Sequence, residues 1–378
     1  MNPRLPKNAN PEQEVTFLAM AAVSEKGEIS SQETRILHET KKGFTYFERG
    51  DVLLAKITPC FENGKATLTN NLNTQIGFGS TEFHVLRAFP DLILPEFIFY
   101  LVWNERFRIA AAKEMTGSAG QKRVSTDYLK EYKFYLPSIF EQEKIVAALN
   151  KGYSIHRKRQ QAIKLADDFL RAKFLEMFGT PANNIHRFPT GKIRDLVDSV
   201  NYGTSAKASI DSGEYPILRM GNITYQGGWD FTDLKYLDLS VKEKDKFLVK
   251  EGDLLFNRTN SKELVGKTAV YEENRPMAFA GYLIRVRPNP IGNNYYISGY
   301  LNSIHGKITL MNMCKSIVGM ANINAQELQN IEILIPPKHL QDEYEIIYKK
   351  IKKGLSIYDK SAMQLQLLAS NLSNEYFM

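Results

Sequence analysis

The chain has 378 residues, 49 Lys and Arg against 42 Asp and Glu, and an ordinary mixture of 43% hydrophobic and 24% charged residues, a length that predicts two domains. Its charge of +7 and pI near 9.0 form a mild basic lean, compatible with a nucleic-acid partner and also common in chains that bind none. Cys60 and Cys314, the only cysteines, exclude a disulfide framework and a four-cysteine zinc site and suit a reducing cytoplasm; no apolar run reaches membrane-spanning length, and the opening Met-Asn-Pro-Arg-Leu-Pro-Lys has no apolar signal core.

In chain order, Phe17-Leu18-Ala19-Met20 opens the first pattern, with only sixteen residues before it. Asp51 to Lys56 predicts a buried strand that opens into a polar loop, and Phe83-His84-Val85-Leu86 a second strand. Pro95 to Ala112 has apolar residues at helical spacing and predicts one helix. After Pro137 the pattern changes. From Phe140 to Phe178 there is no proline and a single glycine, Gly152, and Val146, Leu149, Tyr153, His156, Gln160, Ile163, Ala166, Leu170, Phe174 and Met177 recur three or four apart. That is the seam of one long helix, stopped by Gly179-Thr180-Pro181. The polar seam positions His156 and Gln160 suit solvation at a splayed end.

The second half repeats this order. Lys192 to Val197 predicts an opening helical turn or strand with no counterpart in the first half, so the first unit either lacks its opening element or starts late. Ile217-Leu218-Arg219-Met220, Asp253 to Arg258, Leu283-Ile284-Arg285-Val286 and a helix from Tyr295 to Met313 then follow. A second long helix runs from about Leu340 to the end, with Ile347, Ile351, Leu355, Tyr358, Ala362, Leu365, Ala369, Leu372 and Tyr376 as its seam. Each long helix would be roughly 60 Å, unusual for a compact domain, and two such stripes predict a coiled coil.

The correspondence is a tandem repeat with an offset of about 200 residues. Gly50-Asp51 answers to Gly252-Asp253, Gly120 to Gly319, Val124-Ser125 to Ile323-Asn324, Leu136-Pro137 to Ile335-Pro336, Gln142-Glu143 to Gln341-Asp342, and Glu176-Met177-Phe178 to Glu375-Tyr376-Phe377.

With these residues in hand, the chain resembles the specificity subunit of type I restriction-modification systems. The resemblance is carried by Gly252 to Ser261 with Val265-Gly266-Lys267, by Ala280 to Arg285, and by Ile323-Asn324, Leu328, Ile335-Pro336-Pro337 and Gln341, and it covers essentially the whole chain. It implies an α+β fold of two repeated target-recognition domains, 1–137 and 180–336, separated by long antiparallel helices, 138–179 and 337–378, that form a coiled coil. Each domain would read one half of a bipartite site in double-stranded DNA. The helices would space the domains and dock two methyltransferase subunits, and motor-nuclease subunits would join the full complex. No cofactor is expected in this chain; S-adenosylmethionine, Mg and ATP would belong to the partners. No membrane role is expected.

Reading DNA needs cations for phosphates and short polar forks for base edges. In the first unit Ser118, Gln121, Lys122 and Arg123 of the loop 116–123 supply them, with Lys56, Thr58 and Lys65. In the second unit the candidates are Asn257, Arg258, Thr259, Asn260 and Ser261, then Lys267, and Asn322 from the loop Val318-Gly319-Met320-Ala321-Asn322. Any one of these could be a solvated loop residue; as groups they are expected on the DNA face. The runs Lys41-Lys42, Arg157-Lys158-Arg159, Lys349-Lys350 and Lys352-Lys353 read as solvated faces, with phosphates between half-sites as the alternative.

Catalytic motifs are missing. There is no phosphate loop, no His-Glu-x-x-His pair and no Asn-Pro-Pro-Tyr-type tetrapeptide. Pro90-Asp91 with Glu131-Tyr132-Lys133 could pass for a nuclease carboxylate set, but its spacing is loose and the second unit has Asn330-Ile331-Glu332 at the matching place. A non-catalytic DNA-specificity subunit is therefore expected, with a protein-binding coiled-coil adaptor and a standalone nuclease as alternatives.

Overall fold

Short apolar runs that follow Gly-Asp turns become the central strands of the computed structural model, which describes residues 1–118, 120–317 and 320–377. Ala119, Val318 and Gly319, and the side chains of Met320, Tyr358 and Ala362, lie outside the described residues. The chain divides into two compact units, Met1–Arg159 with the segment from Lys360, and Gln160–Asp359. Both mix strands with short helices and take in parts of both long helices.

The first unit has a four-stranded sheet in the order Glu33–Ile36, Glu14–Leu18, Ile76–Gly79, Thr45–Glu48, and a three-stranded sheet in the order Ala66–Leu68, Val52–Ala55, Phe83–Leu86. The second repeats the four-stranded order with Lys235–Leu237, Tyr215–Leu218, Met277–Phe279 and Leu248–Val249. Its other main sheet runs Thr268–Val270, Leu254–Asn257, Leu283–Pro288, Val197–Tyr202. In each four-stranded sheet one parallel pair, Glu14–Leu18 with Ile76–Gly79 or Tyr215–Leu218 with Met277–Phe279, sits between antiparallel pairs. Val197–Tyr202 is an added strand: the opening element expected from Lys192 to Val197 is a short helical turn, Ile193–Leu196, followed by this strand. In the first unit the corresponding edge is bonded by Asn2, whose N–H donates to Val85 O at 2.7 Å and whose side-chain oxygen accepts from Val85 N at 2.9 Å.

Val52–Ala55 and Leu254–Asn257 are buried at every position, so they read as apolar runs without alternation. The turn before each needs glycine: Gly50 and Gly252 have φ of 94° and 87°. Each following aspartate is buried and takes a bidentate arginine. Arg87 Nε and Nη2 reach Asp51 at 2.7 and 2.8 Å; Arg287 reaches Asp253 at 2.7 and 3.0 Å. The carboxylate bonds push both guanidinium pKa values above the usual arginine range.

The helix expected over Pro95 to Ala112 is two, Pro95–Trp103 and Glu105–Lys113. Its repeat is likewise Asn294–Asn302 and Ile304–Met313. Asn104 and Ser303 stop one helix and cap the next. Asn104 Oδ1 accepts from Arg106 N and Phe107 N, and Ser303 Oγ from Gly306 N, while both residues are extended. Apolar periodicity continued across the break and concealed it.

The long helices are Ile139–Phe178 and Lys338–Tyr376. Near each start a wholly buried glutamine binds main chain. Gln142 Nε2 donates to Leu92 O at 3.0 Å and Pro137 O at 2.9 Å; Gln341 Nε2 donates to Ile291 O at 3.0 Å and Pro336 O at 2.8 Å. The helix ends are also used alike. Phe377 packs edge-on to Phe97 at 5.0 Å in the first unit, and Phe178 edge-on to Tyr296 at 4.8 Å in the second. In the first unit a Cβ on Gly152 would lie 3.5 Å from Ala369, so small residues bring the two helices close there. In the second unit Lys352 binds Asp167 at 3.0 Å and Tyr344 packs on Phe174 at 5.3 Å, a descending register that makes the segments antiparallel. His156 is half-buried and Gln160 exposed. No helix among the described residues is long and apolar enough to cross a membrane.

Candidate nucleic-acid interface

In the first unit the structure brings two sequence-separated loops together. Lys56 leaves the strand Val52–Ala55 with its N–H donating to Glu82 O at 2.9 Å and its carbonyl accepting from Val124 N at 2.9 Å. Thr58 then binds the loop 116–123 three ways: Thr58 N to Lys122 O at 2.9 Å, Thr58 Oγ1 to Gly120 O at 3.0 Å, and Lys122 N to Thr58 Oγ1 at 3.2 Å. The loop closes on itself where Thr116 and Arg123 exchange main-chain bonds. Gly117, with φ of 134°, lies so close to Gln121 O that a Cβ there would stand 2.6 Å away. Ser118, Gln121 and Lys122 are exposed. Arg123 is not free: Nε and Nη2 each reach Glu82 at 2.9 Å, and Nη1 donates to Gln121 O at 3.2 Å. This fork holds the Glu82 carboxyl below the usual range and raises the Arg123 pKa. Glu82 gave no sequence signal beyond standing beside a strand.

The second unit builds the same frame. Arg258 N donates to Tyr282 O at 3.0 Å, and Ile323 N to Arg258 O at 2.9 Å. Thr259–Asn260 pairs with Ala321 and Asn322. Arg258 Nη2 donates to Asn322 Oδ1 at 3.3 Å, and its guanidinium carbon lies 4.9 Å from the centre of the Tyr202 ring. The Tyr202 hydroxyl in turn accepts from Ala325 N at 2.9 Å. Tyr202 was not visible as a site residue from the sequence, because it comes from the added strand. Asn260 and Ser261 are half-buried.

Four other candidates turn inward. Asn257 is 0%, Thr259 8% and Lys267 8% exposed, which sets them inside the fold rather than on a loop surface. Lys65 and Lys267 hold matching places, their carbonyls accepting from Ala55 N at 2.9 Å and Asn257 N at 2.8 Å. Lys65 Nζ points to Met20 O at 3.4 Å. Burial lowers the Lys267 pKa; burial, Arg171 and Lys267 together lower that of neighbouring Lys307 to about 8. The basic runs on the long helices are partly paired: Arg157 to Glu28 at 2.7 Å, Lys349 to Glu345 at 2.7 Å, and Lys352 to Asp167. Among the described residues no group of three or more His, Cys, Asp or Glu is placed to hold a metal ion.

The family model described as "Type I restriction modification DNA specificity domain" matches residues 2–165 and 187–369. The chain therefore belongs to the type I restriction-modification DNA specificity family. The type I restriction enzyme EcoAI specificity subunit of Escherichia coli is 31% identical over 262 residues, 67% of this chain and 44% of that protein. The putative type I restriction enzyme MjaX specificity subunit of Methanocaldococcus jannaschii is 31% identical over 172 residues, 44% of this chain and 38% of that protein. The chain thus spans less than half the length of these relatives. Among solved structures, the type I restriction-modification S subunit from M. genitalium superposes with a TM-score of 0.61 at 14% identity, covering 99% of this chain and 92% of that one. A chain from a type I restriction-modification assembly does so with 0.55 at 19%, covering 97% and 92%. At these identities the structures speak for the fold.

Proposed function

We propose that this chain is the sequence-specificity subunit of a type I restriction-modification complex, with each unit reading one half of a bipartite duplex target. The carrying observation is the duplicated frame at the end of the central strand. Main-chain bonds hold a cation there in both units, Lys56 and Arg258, beside a second polar loop. Family membership supplies the ligand class. The surface offered to DNA is Lys56, Thr58, Ser118, Gln121 and Lys122 in one unit and Arg258, Asn260, Ser261 and Asn322 in the other. Arg123 joins the first surface as a salt-bridged pair with Glu82. Asn257, Thr259, Lys65 and Lys267 shape the loops from inside.

In this reading the recognition domains are 1–137 and 180–336. The helices between and after them, 138–179 and 337–378, form an antiparallel coiled coil that docks two methyltransferase subunits. Catalysis, cofactors and DNA translocation belong to partner subunits, and the chain works in the cytoplasm. The test is binding of the full chain to duplex DNA at several salt concentrations. Sequence-selective binding whose affinity falls steeply with salt is expected. Sequence-blind or salt-independent binding would favour a protein-binding adaptor instead, and cleavage or methylation by the purified chain alone would overturn the non-catalytic role.

A further inference from the structure

Resting on the reading that these loops face DNA, we propose that Arg258 reads a guanine in the half-site bound by the second unit, with Tyr202 and Asn322 as its positioning residues. The argument starts from the main chain. Residue 258 is bonded on both sides, through its N–H to Tyr282 and through its carbonyl to Ile323, so its Cα belongs to a rigid element. The side chain is fixed as well. Its plane is backed by the Tyr202 ring at 4.9 Å, and Nη2 is tethered to Asn322 Oδ1 at 3.3 Å. Tyr202 is itself anchored through its hydroxyl to Ala325 N.

The donors that remain decide the ligand. Nε is enclosed and without a partner, and among the described residues Arg258 forms no ion pair with a carboxylate. Nη1 keeps both its hydrogens and Nη2 its second, so two nitrogens side by side in one plane can still donate. Guanine offers two matching acceptors, O6 and N7, on its major-groove edge, and this fork is the geometry that fits them. A phosphate would accept the same charge but would not require the plane to be held from two sides.

The same bonds give Asn322 a positioning role. An asparagine recognises adenine by accepting from N6 and donating to N7 together. Here one lone pair of its oxygen is already taken by Arg258, which ties Asn322 to the fork. The first unit has no such arrangement: the matching place holds Lys56, whose ammonium has no planar fork.

The experiment selects bound duplexes from a randomised library with the full chain, as wild type, Arg258→Lys and Tyr202→Leu. The wild-type consensus should contain a guanine in one half. Arg258→Lys keeps the charge and should lower preference for that guanine by about tenfold to a hundredfold, leaving the other half of the consensus intact as the control for folding. Tyr202→Leu should shift it in the same direction by less, and Tyr202→Phe should retain it in part. If Arg258→Lys keeps every base preference, or if Arg258→Gln weakens all sequences equally and lowers the salt slope by about one, the arginine contacts phosphate and the proposal fails. A wild-type chain with no base preference at any position would overturn the specificity reading itself, and this proposal with it.

Discussion

Lys56 and Arg258 leave their strands along the same path, each donating to the carbonyl just before the neighbouring strand and accepting from a second loop, yet their surroundings share no side chain. Around Lys56 stand Glu82 and, bound to it, Arg123; around Arg258 stand Tyr202, Tyr282 and Asn322. The frame rests on main-chain bonds, which any residue can make, so it can be duplicated while the groups it displays change. One unit offers an arginine already neutralised by a carboxylate, and the other an arginine without one. If such units read two halves of a target, as proposed, those halves need not share a base.

If the frame is common, damage to it should cost the two units alike. Asp51→Ala and Asp253→Ala each remove the buried carboxylate from a half-exposed arginine fork, and each should lower stability by about 2 kcal/mol, discounted for that exposure. Denaturant unfolding of the full chain measures this, and a large effect in only one unit would break the equivalence. The helix caps should separate the units. Asn104 caps a helix and also donates to Ser373 Oγ at 2.9 Å and Asn374 Oδ1 at 3.1 Å, whereas Ser303 caps and donates to Tyr300 O. Asn104→Ala should cost about 2 kcal/mol and Ser303→Ala about 1 kcal/mol by the same method; equal costs would mean that the additional bonds of Asn104 contribute nothing.

The smallest effect concerns Glu82. Its carboxyl is held low by Arg123, so the stability it contributes is present above the ordinary carboxylate pKa and lost as pH falls through the lowered one. Acid unfolding of the first unit below about pH 4 should therefore become less pH-sensitive in Glu82→Gln. The same variant frees Arg123 and should raise affinity for all duplexes by a factor of about three, with a steeper salt dependence. Unchanged affinity would take Arg123 off the DNA face while leaving Arg258 untouched.

Much of this frame was legible in the chain. The Gly-Asp turns, the buried strands and the two long seams follow from local rules, because each is fixed by residues close in sequence. The helix breaks were hidden because the apolar spacing runs through Asn104 and Ser303. The state of the cations was hidden for a different reason: whether Arg123 is paired, or Lys267 buried, depends on residues from other strands. Lys267 looks like Lys122 in a loop of glycines and polar residues, and only its burial in the folded unit distinguishes them. Tyr202 could not be placed near Arg258 without the sheet order.

Gln142 and Gln341 fasten the start of each long helix through carbonyl groups of residues 92 and 137, or 291 and 336. An amide that addresses only backbone is blind to which side chains surround it. Loops on either side can mutate, lengthen or be exchanged, and the fastening still forms. Variation is thereby channelled into the displayed loops, and what they present can be revised without rebuilding the joint that fastens each long helix.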